Sequence, residues 1–232
     1  MDMFWYPEET ASAAKKLGMR ISTGGIFFDL PGIGGRCHED YISEAHQFSQ
    51  NHEADENVIP AILPHGSYTV SPENLTDAKR IADEYGILFC THAAETKAEQ
   101  NDIKARYNNS VIRHLNEHKL LGENVVLAHC VHLDEKEISL IAKSKTNVVL
   151  NPMSNLKLGS GIAPVKEMKR AGINLTIGTD GAISGNDLDM WLAMRLTCGL
   201  AKGFNMEADA LTAEQVLHMA TINGAKALGK SE

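Results

Sequence analysis

The chain has 232 residues, a net charge of −8, 43% hydrophobic residues and 22% charged residues. This length suits one large domain or two small ones, and the composition is that of an ordinary globular protein. The negative charge argues against a nucleic-acid surface or an anionic membrane as partner, and no apolar run approaches the roughly 20 residues that a membrane-spanning helix needs.

Short apolar runs alternate along the chain with amphipathic stretches, which is typical of βα units and a parallel sheet. The predicted strands are residues 20–28, 57–70, 87–95, 124–133, 147–155 and 174–181. The predicted helices are residues 7–18, 38–52, 71–86, 97–119, 134–145, 161–172, 188–202 and 212–229, and a turn-rich loop is predicted at 29–36.

The helix predicted at 71–86 has the clearest end signals. Ser71 is a favourable N-cap, Pro72 suits the first helical position, and Gly86 is a typical residue just past a helix end. Pro7 and Gly18 likewise indicate the start and the end of the first predicted helix.

Two architectures fit this order, an open doubly wound sheet and an incomplete (β/α)8 barrel with about six of its eight strands. No glycine-rich dinucleotide fingerprint follows a strand. Polar or ionisable residues stand at the carboxyl end of nearly every predicted strand, and in a barrel those ends converge on one face. The sequence therefore favours the barrel; the residues concerned are His65, His92, His129, Asn151 and Asp180.

His92 and Glu95 lie at the end of the third predicted strand, in ILFCTHAAET. A histidine there with a carboxylate in the adjoining loop suits a metal ligand next to a proton carrier. A histidine that merely caps the strand, with Glu95 starting the next helix, is the alternative. The two residues alone leave both readings open.

Asp180 ends the sixth predicted strand in TIGTDGA, where it could bind a metal, accept a proton or cap a helix. Together with His92 and His129 it forms a plausible ligand set for Zn²⁺ or Fe²⁺. His132, three residues after His129, is interpreted as a helix N-terminal or loop residue. Cys90 and Cys130 are interpreted as buried apolar residues, and these further histidines are expected to be solvated: His38, His46, His52, His114, His118 and His218.

Four segments resemble the amidohydrolase superfamily, and within it the 5-methylthioadenosine/S-adenosylhomocysteine and 5'-deoxyadenosine deaminases. They are THAAET, LAHCVH, NPMSNLKLGSGIAPV and GTDGAISGNDLDMW. The resemblance implies a (β/α)8 barrel of the metal-dependent hydrolase type. It also implies one divalent metal, zinc or alternatively iron, and hydrolysis of an adenine amino group to give the inosine analogue and ammonia.

The same resemblance implies a role for individual residues. His92 and Asp180 would bind the metal, and Asp180 would also take a proton from its water. Glu95 would carry a proton to the purine ring and His129 would orient the water. The implied substrate contacts are Glu95, Arg36, His65 and Ser184.

The sequence departs from the family pattern in two respects. Gly66 and Ser67 follow His65 where the family has Ala-Pro or Ser-Pro, and no His-x-His metal motif occurs in the chain. We therefore expect residues 1–232 to be a partial catalytic barrel domain, a fragment without the first strand or the accessory β domain. Its activity is then expected to be low.

Two other functions remain open from the sequence: a different amidohydrolase, of the guanine-deaminase or chlorohydrolase type, and a non-catalytic remnant or binding module. The partner expected is a small nucleoside, with homo-oligomer formation left open. Four scattered cysteines without a CxxC pair indicate a reducing, cytoplasmic compartment.

Overall fold

The structure is a computed structural model that describes residues 1–30 and 35–230. Six strands form a sheet in which their order follows the chain. The strands are β1 (Ile21–Phe27), β2 (Val58–Pro64), β3 (Leu88–Ala93), β4 (Val125–His129), β5 (Asn147–Leu150) and β6 (Leu175–Ile177).

Twelve helices are present in the described part of the chain. They are α1 (Pro7–Lys16), α2 (His38–Asn51), α3 (Pro72–Tyr85), α4 (Lys97–Tyr107), α5 (Val111–Glu117), α6 (Glu135–Lys143), α7 (Pro152–Lys157), α8 (Val165–Arg170), α9 (Ala182–Gly185), α10 (Met190–Asn205), α11 (Ala213–Ala220) and α12 (Ile222–Ala227).

The fold class is α/β, as the sequence predicted. Strand pairs β1–β2, β2–β3, β4–β5 and β5–β6 are all parallel. A doubly wound sheet reverses its strand order at a switch point, whereas this sheet keeps the chain order throughout. The doubly wound alternative is therefore wrong, and the order is that of six successive units of a (β/α)8 barrel.

The chain divides into two compact units, which are described separately. The first comprises Met1–Thr91 with His118–Leu120. Its strands β1 and β2 pair over seven residues, from Ile21 opposite Val58 to Phe27 opposite Pro64. A Cβ on Gly24 would lie 2.1 Å from the carbonyl oxygen of Ala61, so this close strand contact requires glycine.

The second unit comprises His92–Glu117 with Leu121–Glu232. Its strands β4, β5 and β6 are parallel neighbours, so their carboxyl ends lie at one edge. Buried apolar side chains fill the unit, including Ile103, Ile112, Leu115, Leu127, Ile141 and Met168. Such burial stabilises the unit by about 1.5–3 kcal/mol for each large side chain.

Several predicted boundaries differ from the observed ones for local reasons. The helix predicted at 97–119 is two helices, because Asn108 adopts a left-handed conformation with φ 54° after α4. The last predicted helix divides at Thr221. The strand predicted at 147–155 ends at Leu150, because Pro152 starts α7.

Two histidines that were expected to be solvated are buried. His52 is 7% exposed, and its ring contacts Asp55 at 3.2 Å and Glu8 at 3.0 Å. His114 is 1% exposed and stacks on Tyr107 with ring centroids 4.4 Å apart. Helical position alone did not reveal these packing partners.

The loop predicted at 29–36 lies partly outside the described residues, since 31–34 are not described. None of the described helices is both long and apolar enough to span a bilayer.

Candidate active site

His92 lies near the end of β3, where the chain turns sharply toward α4. This turn includes Ala94, which has a left-handed φ of 53°. The carbonyl of Ala94 accepts two hydrogen bonds, from the backbone amides of Val131 at 3.0 Å and His132 at 2.9 Å. The loops after β3 and β4 are thereby held together.

His129 is the last residue of β4 and is 1% exposed. Its ring centroid lies 5.4 Å from that of His92. Its Nδ1 lies 2.8 Å from Oδ1 of Asn155, and an amide oxygen only accepts, so Nδ1 carries the proton. A neutral His129 therefore presents the lone pair of Nε2 to the site.

Asp180 follows β6 and adopts a left-handed φ of 60°. One carboxylate oxygen accepts a hydrogen bond from the amide of Gly181 at 2.6 Å. The other oxygen lies 3.9 Å from Nε2 of His129. Gly178 allows the chain before Asp180 to pass close to Asn151, because a Cβ there would lie 2.7 Å from Oδ1 of Asn151.

Glu95 completes the group from the loop before α4. Its Oε2 lies 3.9 Å from Nε2 of His129, and its Oε1 accepts a hydrogen bond of 3.3 Å from the hydroxyl of Ser160. The side chain of Glu95 is 16% exposed and that of Asp180 is 22% exposed. The carboxylates of Glu95, after β3, and Asp180, after β6, thus both lie 3.9 Å from one buried imidazole nitrogen.

Four residues at this edge of the second unit have a left-handed backbone conformation. Ala94, His129, Cys130 and Asp180 all have φ between 48° and 76°. Non-glycine residues rarely adopt this conformation, which costs of order 1 kcal/mol or more for each residue. The hydrogen bonds around the four residues hold it in place.

The structure thus brings together four of the residues that the sequence singled out, His92, Glu95, His129 and Asp180. Ser184, the fifth in this unit, lies in α9, and its amide donates to the carbonyl of Gly181 at 2.9 Å.

Arg36 and His65 belong to the first unit. Nε of Arg36 contacts a carboxylate oxygen of Glu44 at 2.8 Å, and its guanidinium lies 6.0 Å from the ring centre of Tyr6. His65 contacts the hydroxyl of Thr69 through Nδ1 at 2.8 Å. Their predicted role in substrate contact stays a prediction.

The described residues provide only part of the ligand set that the metal-binding prediction requires. Within residues 1–30 and 35–230, no group of three or more His, Cys, Asp and Glu side chains is arranged to hold one metal ion. A catalytic zinc generally has three protein ligands and an open position for water. His92 and Asp180 do not by themselves fit that requirement.

The cysteines beside the site do not form a thiolate centre. Cys90 and Cys130 are free and buried. Burial raises the pKa of Cys90 to about 12 and that of Cys130 further above its usual range. Both thiols stay protonated and pack as small apolar groups, as the sequence suggested.

Three residues at the site were not given a role from the sequence. Asn155 and Ser160 fall in the segment NPMSNLKLGSGIAPV, which carried the family resemblance without a role for either residue. Glu99 accepts a hydrogen bond of 2.7 Å from the amide of Glu95. The spacing Thr96-x-x-Glu99, a capping signature, could have revealed Glu99.

The fold and this constellation define a class of protein. Residues 4–232 match the Amidohydrolase family, and the chain belongs to that family.

Particular relatives are deaminases. The chain is 41% identical over 230 residues to a 5-methylthioadenosine/S-adenosylhomocysteine deaminase of Aquifex aeolicus (strain VF5), covering 99% of this chain and 53% of that protein. It is 38% identical over 228 residues to a 5'-deoxyadenosine deaminase of Methanosphaera stadtmanae, covering 98% of this chain and 54% of that protein. The chain therefore spans about half the length of the curated relatives it matches.

Solved structures of two deaminases are also similar to this chain. An adenosine deaminase from Xanthomonas campestris, crystallised with bound zinc, superposes with a TM-score of 0.96 at 34% identity. That match covers 98% of this chain and 52% of the other. The guanine deaminase of E. coli superposes with a TM-score of 0.88 at 27% identity, covering 97% of this chain and 54% of the other.

Proposed function

We propose that this protein is the barrel part of a metal-dependent deaminase that hydrolyses the amino group of an adenosine analogue. The substrate would be 5'-methylthioadenosine, S-adenosylhomocysteine or 5'-deoxyadenosine, and the products the inosine analogue and ammonia. The observation that carries the proposal is the convergence of Glu95, His129 and Asp180, in a chain 41% identical to a deaminase of this kind. Residues 1–232 are proposed to form one partial catalytic domain.

The proposed chemistry assigns proton positions to three side chains. Hydrolysis adds water to the carbon that bears the amino group and needs a proton on the neighbouring ring nitrogen. Glu95, with a partly exposed carboxyl group, would supply that proton. Asp180 would accept a proton from the attacking water, and the unprotonated Nε2 of His129 would orient it.

A divalent metal, zinc or alternatively iron, is proposed for the complete site. His92 and Asp180 would be two of its ligands. Because this chain has no third donor arranged with them among its described residues, the roles above are limited to proton positions. Further ligands would have to come from elsewhere, as from the His-x-His motif that the family resemblance implies.

The proposed substrate contacts beyond Glu95 are Arg36, His65 and Ser184. The proposed partner is a small nucleoside. A reducing, cytoplasmic compartment is proposed as well, supported by four free cysteines. Homo-oligomer formation is left to measurement.

Ammonia release at high protein concentration with added Zn²⁺ tests the proposal. The three adenosine analogues, guanine and a chlorotriazine would be compared, and binding of each would be ranked by calorimetry so that a slow chain is also tested. We expect the adenosine analogues to bind best. Glu95→Gln should lower any turnover by about 10²–10⁴-fold.

The matched control is Glu214→Gln, which changes an exposed glutamate in the first turn of α11. It should behave as wild type. Tighter binding and faster conversion of guanine would instead favour the guanine-deaminase alternative. A chain that binds none of the compounds would contradict a nucleoside site altogether.

A further inference from the structure

Glu95 is held from two sides by residues to which the proposed function gives no role. The hydroxyl of Ser160 donates to its carboxylate at 3.3 Å. Its own amide donates to Oε2 of Glu99 at 2.7 Å. Ser160 and Glu99 are each only 5% exposed, so both contacts are shielded from competing water.

Ser160 is itself fixed by a chain of hydrogen bonds. Nε2 of His132 lies 2.8 Å from the carbonyl of Ser160. Because a carbonyl only accepts, His132 carries a proton on Nε2. The amide group of Gln100 donates to the carbonyl of His132 at 2.7 Å and accepts from the amide of Val111 at 3.1 Å. The Ser160 loop is thereby tied to α4 and α5.

Glu99 makes a different backbone contact from that of a typical capping glutamate. It is the third residue of α4, and the hydroxyl of Thr96 accepts from its amide at 3.1 Å. In α6 the glutamate at the same position, Glu137, bonds the amide of its own N-cap, Asp134, at 2.8 Å. Glu99 instead reaches one residue further back, to Glu95.

The second oxygen of Glu99 is buried and has no hydrogen-bond partner among the described residues. An unpaired buried oxygen costs about 1–3 kcal/mol, so the helix cap alone gives little reason for a carboxyl group here. The 2.7 Å hydrogen bond from the amide of Glu95 is the main backbone contact of this carboxyl group, ahead of those from Ala94 and Thr96.

We propose that Ser160 and Glu99 are positioning residues for Glu95: the Ser160 hydroxyl orients its carboxyl group and Glu99 fixes its backbone. His132 and Gln100 act through Ser160. The functional meaning of this arrangement rests on the proposed role of Glu95 as the proton carrier. The arrangement itself can be measured without turnover.

NMR of the 232-residue chain with ¹³C-labelled glutamate carboxyl groups tests the contact with Ser160. Glu95→Gln identifies the Glu95 resonance, and its chemical shift is then followed at a single pH. Ser160→Ala removes the hydroxyl that donates to this carboxylate, so the Glu95 resonance should shift while that of the exposed Glu214 stays in place. Ser160→Thr keeps a hydroxyl and should restore the wild-type chemical shift.

Amide hydrogen exchange tests the contact with Glu99. Glu99→Leu should speed exchange of the Glu95 amide roughly tenfold, since its acceptor is lost. Glu137→Leu is the matched control in α6 and should leave the Glu95 amide unchanged. Equal acceleration in both variants would assign the effect to general loosening and overturn the proposal.

An unchanged Glu95 chemical shift in Ser160→Ala would overturn it as well. None of these measurements depends on ammonia release. Failure of the deaminase proposal would therefore leave the positioning result standing, and failure of the positioning result would leave the deaminase proposal to its own test.

Discussion

At the scale of single residues, the tautomer of His129 is determined by one neighbour, Asn155. Asn155 is 3% exposed and accepts a hydrogen bond from the Nδ1–H of His129, which leaves the unprotonated Nε2 facing Glu95 and Asp180. A histidine with the opposite tautomer would present an N–H to the site and could not accept a proton there. The amide of Asn155 thus determines what His129 can do.

Replacing Asn155 by leucine should therefore change both stability and tautomer. The buried Nδ1–H of His129 would lose its acceptor, and we expect the free energy of unfolding to fall by about 1–3 kcal/mol. Urea denaturation measures the loss, and ¹⁵N NMR of the imidazole measures the fraction protonated at Nδ1.

The control is Asn155→Asp, which keeps an oxygen at the same position. It should retain the proton on Nδ1. If Asn155→Leu left the ¹⁵N spectrum of His129 unchanged, the amide would not be what selects the tautomer.

Gly24 gives a second prediction at this scale. A methyl group there would lie 2.1 Å from the carbonyl oxygen of Ala61 on the paired strand, and backbone cannot move aside as a side chain can. We expect Gly24→Ala to destabilise the protein by about 3 kcal/mol or more. Thermal and urea unfolding would measure this.

Gly199 is the matched control, because a Cβ there meets nothing within 4 Å. It lies inside α10 and is exposed, so Gly199→Ala should stabilise the protein by about 0.5–1 kcal/mol. Equal effects of the two substitutions would contradict a steric role for Gly24.

At the scale of elements, short sequence signals predicted those helix ends that are determined by contacts between residues close in the sequence. In α3, Ser71 accepts from the amide of Asn74, Pro72 starts the helix, and Gly86 adopts φ 63° just after it, as predicted. The break after α4 was missed, because Asn108 in a left-handed conformation leaves no distinctive periodicity. Short helices such as α7 and α9 carry too few residues to show a pattern.

Glu99, in the first turn of α4, is a buried carboxyl group, and burial disfavours its charged form. Burial raises the pKa of Glu99 from its ordinary 4.5 to about 7, and the nearby charge of Glu95 adds to the rise. The folded protein therefore binds this proton more tightly than the unfolded chain does. The resulting stabilisation is complete below about pH 4.5 and is lost as the pH rises through 7.

We accordingly expect the unfolding free energy of wild type to fall relative to Glu99→Gln between pH 5 and pH 8, by about 2–3 kcal/mol. Glutamine keeps an oxygen for the amide of Glu95 but does not titrate. Urea unfolding at several pH values measures the difference. Parallel pH dependences in the two proteins would mean that Glu99 titrates normally.

At the scale of the whole molecule, the sequence predicted which strand ends carry chemistry but not how their side chains meet. His92, His129 and Asp180 were recognised because each follows an apolar run, and parallel neighbours bring such ends to one edge. The partners Asn155 and Ser160 lie 26 and 65 residues away from the groups they contact, His129 and Glu95. Pairings over such separations depend on packing, which no local pattern encodes.

Zinc binding tests whether the whole chain forms a metal site by itself. The described residues contain no group of three donors that could hold a metal ion. The chain should therefore bind zinc far more weakly than a complete catalytic site, which has three protein ligands. By linkage, 100 μM Zn²⁺ should then stabilise the chain by less than about 1 kcal/mol, against about 7 kcal/mol for a site of nanomolar affinity. Thermal unfolding with and without Zn²⁺ measures the shift, and the same donor count predicts slow ammonia release by the chain alone.

His92→Ala supplies the control. It should abolish whatever small stabilisation zinc gives, whereas His118→Ala, in the first unit, should not. Zinc that survives dialysis at one ion per chain, together with a stabilisation of several kcal/mol, would mean that this chain completes a metal site by itself. The third ligand would then have to be sought first in His129, whose Nε2 already faces Asp180, and its role in orienting water would pass to another group.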